Sequence, residues 1–164
     1  MERLWTPWRL AYVSGGGESN GCVFCNALTD DEAAPLIVFR SATCFVILNL
    51  FPYNNAHLMV VPNRHVATLA DATAEELTEL MMLARIAETA ITEAYAPHGL
   101  NLGINLAKPA GAGVPGHLHM HVVPRWNGDT NFMTVIGHTR VLPEELPQTG
   151  DKLRPIFERL ARLR

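Results

Sequence analysis

The sequence has no long apolar run, no cluster of basic residues and few cysteines, and each absence excludes a class of protein. No apolar stretch approaches the ~20 residues that a membrane-spanning helix requires. The N-terminal MERLWTPWRL carries charges and two tryptophans, and it lacks the apolar core of a signal peptide. The net charge is −3 without a clustered basic face, which argues against nucleic acid as a partner. We therefore expect a cytoplasmic protein with no membrane and no nucleic-acid partner.

The three cysteines narrow the options further. An odd number of cysteines in a cytosolic chain argues against a disulfide framework. Cys44 lies in the apolar run CFVILNL, so we expect it to be buried. Cys22 and Cys25 have the spacing of half a zinc site. A redox pair and two plain buried thiols are the alternatives, because the pair alone supplies only half of a tetrahedral ligand set.

The length of 164 residues suits a single domain, 1–164, with an N-terminal arm (1–21) and a C-terminal extension (125–164). Apolar and β-branched runs predict five strands and a further short one. They lie at 36–39, 43–49, 57–62, 100–106 and 117–124, with the short strand within 134–142. Strands followed by a long helix and then more strands predict an α+β fold with a mainly antiparallel five-stranded sheet.

Two helices are predicted. Thr73 and Glu76 have capping-box spacing at the start of the first, which should end near residues 95–97. Apolar residues with a period near 3.6 predict its buried face. They are Leu77, Leu80, Met81, Ala84, Ile86, Ala87, Ala90, Ile91 and Ala94. A C-terminal helix at 149–163 is predicted to pack through its own apolar face.

The stretch GHLHMHVVPRW contains three of the seven histidines of the chain, His117, His119 and His121, which we call the histidine row. Because side chains alternate across a strand, the three share one face, with roughly 6.6 Å between neighbours. The intervening residues are apolar and are predicted to face the core: Leu118, Met120 and Val122. This strict alternation indicates metal ligation or catalysis rather than scattered surface histidines.

Metal ligation and catalysis require different surroundings. Neutral imidazole is a good metal ligand, so a metal-dependent hydrolase could use the histidine row as its ligands. A catalytic histidine instead keeps one ring nitrogen free while a hydrogen bond fixes the other. The glycine-rich stretch AGAGVPG (110–116) directly precedes the row and can present backbone N–H groups to an anion. Together these parts predict phosphoryl or nucleotidyl transfer through a phospho-histidine.

The segment from His117 to Val123 resembles the His-φ-His-φ-His-φ-φ signature of the histidine triad (HIT) superfamily of nucleotide hydrolases and transferases. The resemblance extends over about residues 22–126. Three upstream positions also match the family pattern: Asn49, His57 and Asn105. The resemblance implies a HIT-like fold, with one long helix and a C-terminal helix beside the sheet. It also implies a nucleotide substrate and no organic cofactor.

The resemblance implies a role for each matching residue. His119 would be the nucleophile that attacks the α-phosphate, and His121 and His57 would contact the phosphate or the leaving group. His117 would support the hydrogen bonds of the strand. The implied nucleotide-binding residues are Asn49 at the ribose, Asn105, Ala112 and Gly113 at the α-phosphate, and Trp126 on adenine. Because AGAGVPG lacks the Gln or Ser of many members, its donors would be mostly backbone N–H groups.

Four segments are together similar to bacterial diadenosine tetraphosphate phosphorylases of this superfamily. They are LWTPWRLAYV, CVFC, LNLFPYNNAHLMVVP and HVVPRWNGDTNFM. The similarity implies phosphorolysis to ADP and ATP, with a dinucleoside polyphosphate and inorganic phosphate as partners. Some phosphorylases of the wider superfamily have Gln where this chain has His121, so hydrolysis of a dinucleoside polyphosphate or a phosphoramidate is the main alternative. A metal-dependent hydrolase and a nucleotide-binding regulator without turnover are the other hypotheses.

The resemblance also suggests how the half zinc site is completed. His65, in PNRH, and His117 would join Cys22 and Cys25 in a closed structural Cys2His2 site. Bound zinc would tie the N-terminal arm to the sheet and fix His117. A homodimer or higher homo-oligomer is implied as well, and the helix at 73–95 could lie in its interface or in the ordinary core.

Overall fold

The structure is a computed structural model that describes residues 21–29, 34–129 and 144–163. Nearly all of the predicted N-terminal arm and the predicted short strand within 134–142 lie outside these residues. Within the described ranges, no helix is both long and apolar enough to cross a membrane.

In the described part of the chain, five strands and three α-helices form an α+β arrangement, which confirms the predicted fold class. In chain order they are α1 (Val23–Thr29), β1 (Ile37–Arg40), β2 (Cys44–Leu48), β3 (Leu58–Pro62), α2 (Ala74–Tyr95), β4 (Gly99–Ile104), β5 (Met120–Arg125) and α3 (Leu146–Ala161). The strands form one antiparallel sheet in the order β1-β2-β3-β5-β4. Because β5 lies between β3 and β4, the strand that follows the first two histidines of the row is internal to the sheet.

Several predicted boundaries are wrong. β5 begins at Met120, so His117 and His119 lie in the irregular segment just before the strand. There the N–H of Leu118 donates to the carbonyl oxygen of Val66 at 2.6 Å, outside the ladder between β3 and β5. α3 begins at Leu146, before the predicted residue 149. The short helix α1 was not predicted, because its seven residues are too few for a 3.6-residue period to be recognised.

The long helix α2 begins as the capping box predicts. The N–H of Glu76 donates to the Thr73 hydroxyl at 3.2 Å, and the Glu76 carboxylate accepts from the Thr73 N–H at 2.7 Å. The helix ends at Tyr95, and its C-cap residue Ala96 adopts a left-handed conformation with φ of 44°. The predicted buried face is mostly correct, but Met81 is 56% exposed whereas Leu83 is fully buried. The buried stripe is therefore rotated slightly away from Met81.

The sheet has two different faces. On the helix face, α2 and α3 cover an apolar core that includes Val46, Val60, Leu118 and Val122. On the opposite face, which we call the site face, α1 places Phe24 against a smaller apolar cluster. That cluster also contains Ala27, Ile37, Phe45, Ile47, Met59 and Val61. α1 therefore covers the site face along β1, β2 and β3.

Candidate active site

β3 and β5 bring two histidines together on the site face. Met59 is paired with His121 in the ladder, so His57, directly before β3, lies beside the histidine row. The His57 Nε2 and the His121 Nδ1 are 2.9 Å apart, a hydrogen-bond distance. The His119 and His121 ring centroids are 5.0 Å apart. The structure thus places four of the histidines that the sequence singled out, His57 and the histidine row, in one contiguous group.

The hydrogen bonds of His57 determine which nitrogen of His121 carries the proton. The backbone N–H of Tyr53 donates to the His57 Nδ1 at 3.1 Å, so this nitrogen is an acceptor. In the neutral ring the proton then lies on Nε2, which donates to the His121 Nδ1. His121 in turn carries its own proton on Nε2. The pair therefore presents an N–H donor from His121.

His119 has the opposite arrangement. Its Nδ1 lies 2.7 Å from the carbonyl oxygen of His117, which can only accept, so the proton is on Nδ1. The Nε2 therefore keeps its lone pair, as a nucleophile requires. The ring is 4% exposed and packs against Phe24, whose centroid is 5.0 Å away. Burial lowers the pKa of His119 and outweighs its bond to the carbonyl, which favours the neutral ring.

His121 is also held in its neutral form. Burial, and then the neighbouring His119, lower its pKa to about 4. Protonation of the His121 Nδ1 would also replace the hydrogen bond from His57 with two opposed N–H groups. Near neutral pH, His119 therefore offers a lone pair and His121 offers a proton, although both are histidines of one short segment.

A second cluster lies at the other end of the histidine row. The His117 Nε2–H donates to the carbonyl oxygen of Pro62 at 2.9 Å, so its Nδ1 is an acceptor. That Nδ1 faces the Cys22 and Cys25 Sγ atoms at 3.2 and 3.6 Å. The His65 Nδ1 lies 3.4 Å from the Cys25 Sγ. The four ligand atoms all lie within 4.8 Å of one another, so this cluster could hold a metal ion.

The spacing of this cluster fits a small tetrahedral cation. Bonds of about 2.3 Å to sulfur and 2.0 Å to nitrogen in a tetrahedron put neighbouring ligands about 3.5 Å apart. The distances of 3.2, 3.4 and 3.6 Å in the cluster agree with that spacing. Burial and the adjacent Cys22 raise the pKa of the Cys25 thiol, so the donor set alone does not favour two thiolates. A bound cation would supply the missing positive charge.

The predicted nucleotide-binding residues occupy different surroundings. The Asn49 Nδ2 lies 3.3 Å from the His57 Nδ1, and its Oδ1 accepts from the Phe51 N–H at 2.9 Å. Ala112 is buried, and its N–H already donates to the carbonyl oxygen of Ala107 at 3.3 Å. Gly113 is exposed. The expectation that this loop donates from its backbone therefore fits Gly113 better than Ala112.

A cleft of about 360 Å³ opens beside His121, and we call it the β4–β5 cleft. Its lining residues are Tyr53, Asn54, Asn101, Leu102, Gly103, Asn105, His121, Val123 and Arg125. Asn105, predicted to bind the α-phosphate, is therefore beside His121. Trp126 is half-buried and is not among these lining residues; its backbone N–H donates to the Asp129 carboxylate at 3.2 Å.

Some residues that shape the site were not predicted. Phe24 contacts the rings of His117 and His119, and the carbonyl of Pro62 fixes the tautomer of His117. Tyr53 supplies the N–H that orients His57. Phe24 and Pro62 have no local sequence signal, because each acts across the fold, and Tyr53 acts through a backbone N–H that nearly every residue has. For Arg125 the sequence does contain a signal, since Asp129 lies four residues later and could form an ion pair with it.

Comparison with known proteins identifies the family. Residues 30–128 match the HIT domain. The chain belongs to the HIT domain family. This HIT chain is 42% identical over 159 residues to the AP-4-A phosphorylase of Mycobacterium tuberculosis (strain ATCC 25618 / H37Rv), and the match covers 91% of the chain and 80% of that relative. It is 30% identical over 128 residues to the bis(5'-adenosyl)-triphosphatase of Dictyostelium discoideum, covering 74% and 85%.

Solved structures agree with this assignment. A Zn-bound histidine triad family protein from Mycobacterium smegmatis superposes with a TM-score of 0.71 at 28% sequence identity. The match covers 89% of this HIT chain and 99% of that structure. That protein is described as Zn-bound. Over most of its length the chain matches relatives that are named as enzymes, so it is an enzyme of the HIT type.

Proposed function

We propose that this enzyme cleaves dinucleoside polyphosphates, and specifically that it converts diadenosine tetraphosphate and inorganic phosphate to ADP and ATP. The observation that carries the proposal is the pairing of opposite tautomers. The His119 Nδ1 is fixed by the His117 carbonyl at 2.7 Å, and the His57 bond at 2.9 Å leaves the His121 proton on Nε2. A free lone pair beside an N–H donor suits attack on a phosphate whose leaving oxygen needs stabilisation.

In the first step the His119 Nε2 attacks the α-phosphorus of one adenosine. The bond from that phosphorus to the bridging oxygen breaks, and the oxygen leaves as part of ATP. His121 donates a hydrogen bond from Nε2 to the charge that develops on the leaving group. His119 then carries AMP and a positive charge shared over its ring, and the bond from Nδ1–H to the His117 carbonyl oxygen stabilises that charge.

In the second step an oxygen of inorganic phosphate attacks the same phosphorus. The bond between phosphorus and the His119 Nε2 breaks, ADP leaves and neutral His119 is regenerated. Water in place of phosphate would give AMP by the same path. The 42% identity to a protein named AP-4-A phosphorylase supports phosphate as the acceptor. The 30% identity to a protein named bis(5'-adenosyl)-triphosphatase supports hydrolysis as the second candidate.

The other site residues would bind rather than react. Asn49 would contact the ribose, and Asn105 and the N–H of Gly113 would hold the α-phosphate. Ala112 would shape that loop, and Trp126 would stack on adenine. Both nitrogens of His57 are engaged by Tyr53 and His121, so we assign His57 the positioning of His121 rather than a direct phosphate contact.

We further propose that the Cys/His cluster binds a structural zinc ion, with Cys22, Cys25, His65 and His117 as ligands. Bound zinc supplies a closed tetrahedral link between α1 and the sheet. The supporting observations are the ligand spacing and the orientation of the His117 Nδ1 toward both sulfur atoms. Since the carbonyl of His117 holds the His119 Nδ1, a fixed His117 also fixes the nucleophile.

Two expectations about the oligomeric state and the cellular location accompany the proposal. We expect a homodimer or higher homo-oligomer, because β4 is an edge strand whose residues are largely exposed, and such edges pair readily with another strand. Size-exclusion chromatography with light scattering measures this directly. We expect a cytoplasmic location, where the thiols that a Cys2His2 site needs stay reduced.

The products of diadenosine tetraphosphate with and without inorganic phosphate test the proposal. Formation of ADP and ATP only when phosphate is present supports phosphorolysis. AMP and ATP without phosphate would establish hydrolysis instead. Two ADP molecules without phosphate would contradict attack at the α-phosphorus. A zinc chelator added briefly to the folded enzyme tests the hypothesis of a metal-dependent hydrolase, because the activity of such an enzyme would stop at once.

A further inference from the structure

The β4–β5 cleft extends along the sheet well beyond His121. His121, Val123 and Arg125 alternate on the site face of β5, and Arg125 is four residues from His121. At the rise of a strand this spacing is about 13 Å, which is longer than a single phosphate group. The cleft therefore has room beyond the proposed position of the α-phosphate.

The chemistry of the cleft lining suits a polyanion. Two of its residues carry side-chain amides that can donate hydrogen bonds to a ligand, Asn101 and Asn105. The amide of Asn54 instead donates to the Pro124 carbonyl and the Asp129 carboxylate, at 2.9 and 2.8 Å. Arg125 is the only formally charged residue among the described residues that line it, and no carboxylate is among them. His121 is neutral near pH 7 because its pKa is about 4. A guanidinium and two donor amides, with the Asp129 partner of Arg125 outside the lining, favour phosphate oxygens over a neutral group.

Arg125 is held in one orientation. Its Nε and Nη2 donate to the two carboxylate oxygens of Asp129 at 2.6 and 2.8 Å, and its Nη1 donates to the Asn101 Oδ1 at 3.0 Å. The Arg125 side chain is 44% exposed, whereas that of Asp129 is only 12% exposed. Asp129 also accepts from the Asn54 side chain at 2.8 Å, which spreads its charge over several donors. The guanidinium is thus fixed at the cleft, while the carboxylate is mostly buried and is not among the lining residues.

We propose that the β4–β5 cleft binds the part of the polyphosphate beyond the scissile bond, and that Arg125 is a specificity-determining residue for long polyphosphate chains. This inference rests on the proposed function, since it assigns the leaving portion of the same substrate. Asp129 acts as a positioning residue through Arg125. The cleft recognises an extended chain of phosphates, and the second nucleoside contributes little to the binding affinity.

Equilibrium binding tests this without turnover. In a His119→Asn background, calorimetry compares AMP, diadenosine triphosphate and diadenosine tetraphosphate. Adding Arg125→Gln should weaken tetraphosphate binding by about tenfold or more, the usual worth of a charge-assisted hydrogen bond. Triphosphate binding should weaken less, and AMP binding should change by less than about twofold. Arg125→Lys should lie between, because it keeps the charge but loses the planar fork. Asp129→Asn should reproduce a smaller version of the Arg125→Gln pattern.

Arg159→Gln is the matched control. Arg159 lies on α3 and pairs with Glu93 on α2, on the helix face, so its loss should alter none of the three affinities. Equal weakening of AMP and tetraphosphate by Arg125→Gln, or no weakening of the tetraphosphate, would overturn the inference. Turnover of diadenosine tetraphosphate by the wild type is measured separately. Its absence together with a selective Arg125 effect would overturn the proposed function and leave the cleft assignment standing.

Discussion

The two ends of the histidine row differ in what their ring nitrogens face. At one end the Nδ1 of His117 faces two cysteine sulfurs and its Nε2–H is bound to a backbone carbonyl, so both nitrogens are directed inward. At the other end His121 has one nitrogen fixed by His57 and lines an open cleft. His119 lies between them and is oriented by the carbonyl of His117.

This difference shows how one short segment can serve two purposes. Three histidines at alternate positions would have similar chemistry in water, since the side chain is the same. The fold distinguishes them through the single hydrogen bond that each receives or donates, because that bond decides which nitrogen carries the proton. The His117 end is therefore suited to structure, and the His121 end is suited to reaction.

The largest effect of a substitution is expected at the His117 end of the histidine row, where we propose the zinc site. Cys25→Ser should abolish stoichiometric zinc binding and reduce the free energy of unfolding by about 3 kcal/mol or more, because loss of a metal site removes its binding energy from the folded state. Metal content by plasma mass spectrometry and denaturant unfolding measure both quantities. Cys44→Ala is the control, since Cys44 is buried on the helix face and should leave the zinc content unchanged. Wild-type protein purified without any bound metal would contradict the division between the two ends.

A smaller effect is expected at the His121 end of the histidine row. His57→Leu removes the donor to the His121 Nδ1, so His121 can adopt the wrong tautomer, and kcat should fall by about a hundredfold with little change in KM. His57→Gln keeps an N–H donor and should recover part of that loss. Steady-state kinetics with diadenosine tetraphosphate gives both constants. If the leucine variant retained wild-type kcat, the tautomer of His121 would not matter for catalysis. Zinc content should be the same in all three proteins.

The smallest effect concerns the segment that carries His65 and is a test of stability. Arg64 donates to the Glu76 carboxylate at 2.7 and 2.9 Å. The hydrogen bond from Arg64, and then that from the Thr73 N–H, lower the pKa of Glu76 to about 2. A carboxylate with a lowered pKa stabilises the fold above its ordinary value of 4.5, and this stabilisation is lost as the pH falls toward 2. Glu76→Gln should therefore destabilise at pH 7 by about 1 kcal/mol or more.

The difference in unfolding free energy between wild type and Glu76→Gln should shrink as the pH is lowered below about 4.5. Denaturant unfolding at several pH values gives this difference directly. Glu93→Gln removes an exposed ion pair and should have a small effect at every pH. A constant difference from pH 7 to 3 would show that the ionised form of Glu76 is not what stabilises the fold.

Features with a local signal were predictable from the sequence. The alternation of the histidine row, the spacing of Cys22 and Cys25 and the capping box of Thr73 each involve residues a few positions apart. The fold class followed from the order of strands and helices. The start of β5 was misplaced because alternating polarity continues through His117 and His119, whereas hydrogen bonds of the ladder begin only at Met120.

The remaining features depend on contacts between distant parts of the chain. Phe24 covers His119 only because α1 packs on the site face. The seven residues of α1 are too few for a periodicity that would predict this packing. The acceptor for His117 is the carbonyl of Pro62, an atom that every residue has. Whether the Ala112 N–H is engaged depends on how its loop folds back toward Ala107. Sequence patterns selected the candidate side chains, and tertiary packing decides which nitrogen of each histidine carries the proton.

The central claim is that His119, between the two ends, becomes covalently linked to AMP. Diadenosine tetraphosphate is mixed with enzyme in phosphate-free buffer and quenched rapidly in alkali, followed by intact mass measurement and peptide mapping. We expect one AMP per chain, attached to His119 and absent from His119→Asn, and its release as ADP when phosphate is added before the quench. Turnover without any adduct, or AMP attached to a different residue, would contradict the claim.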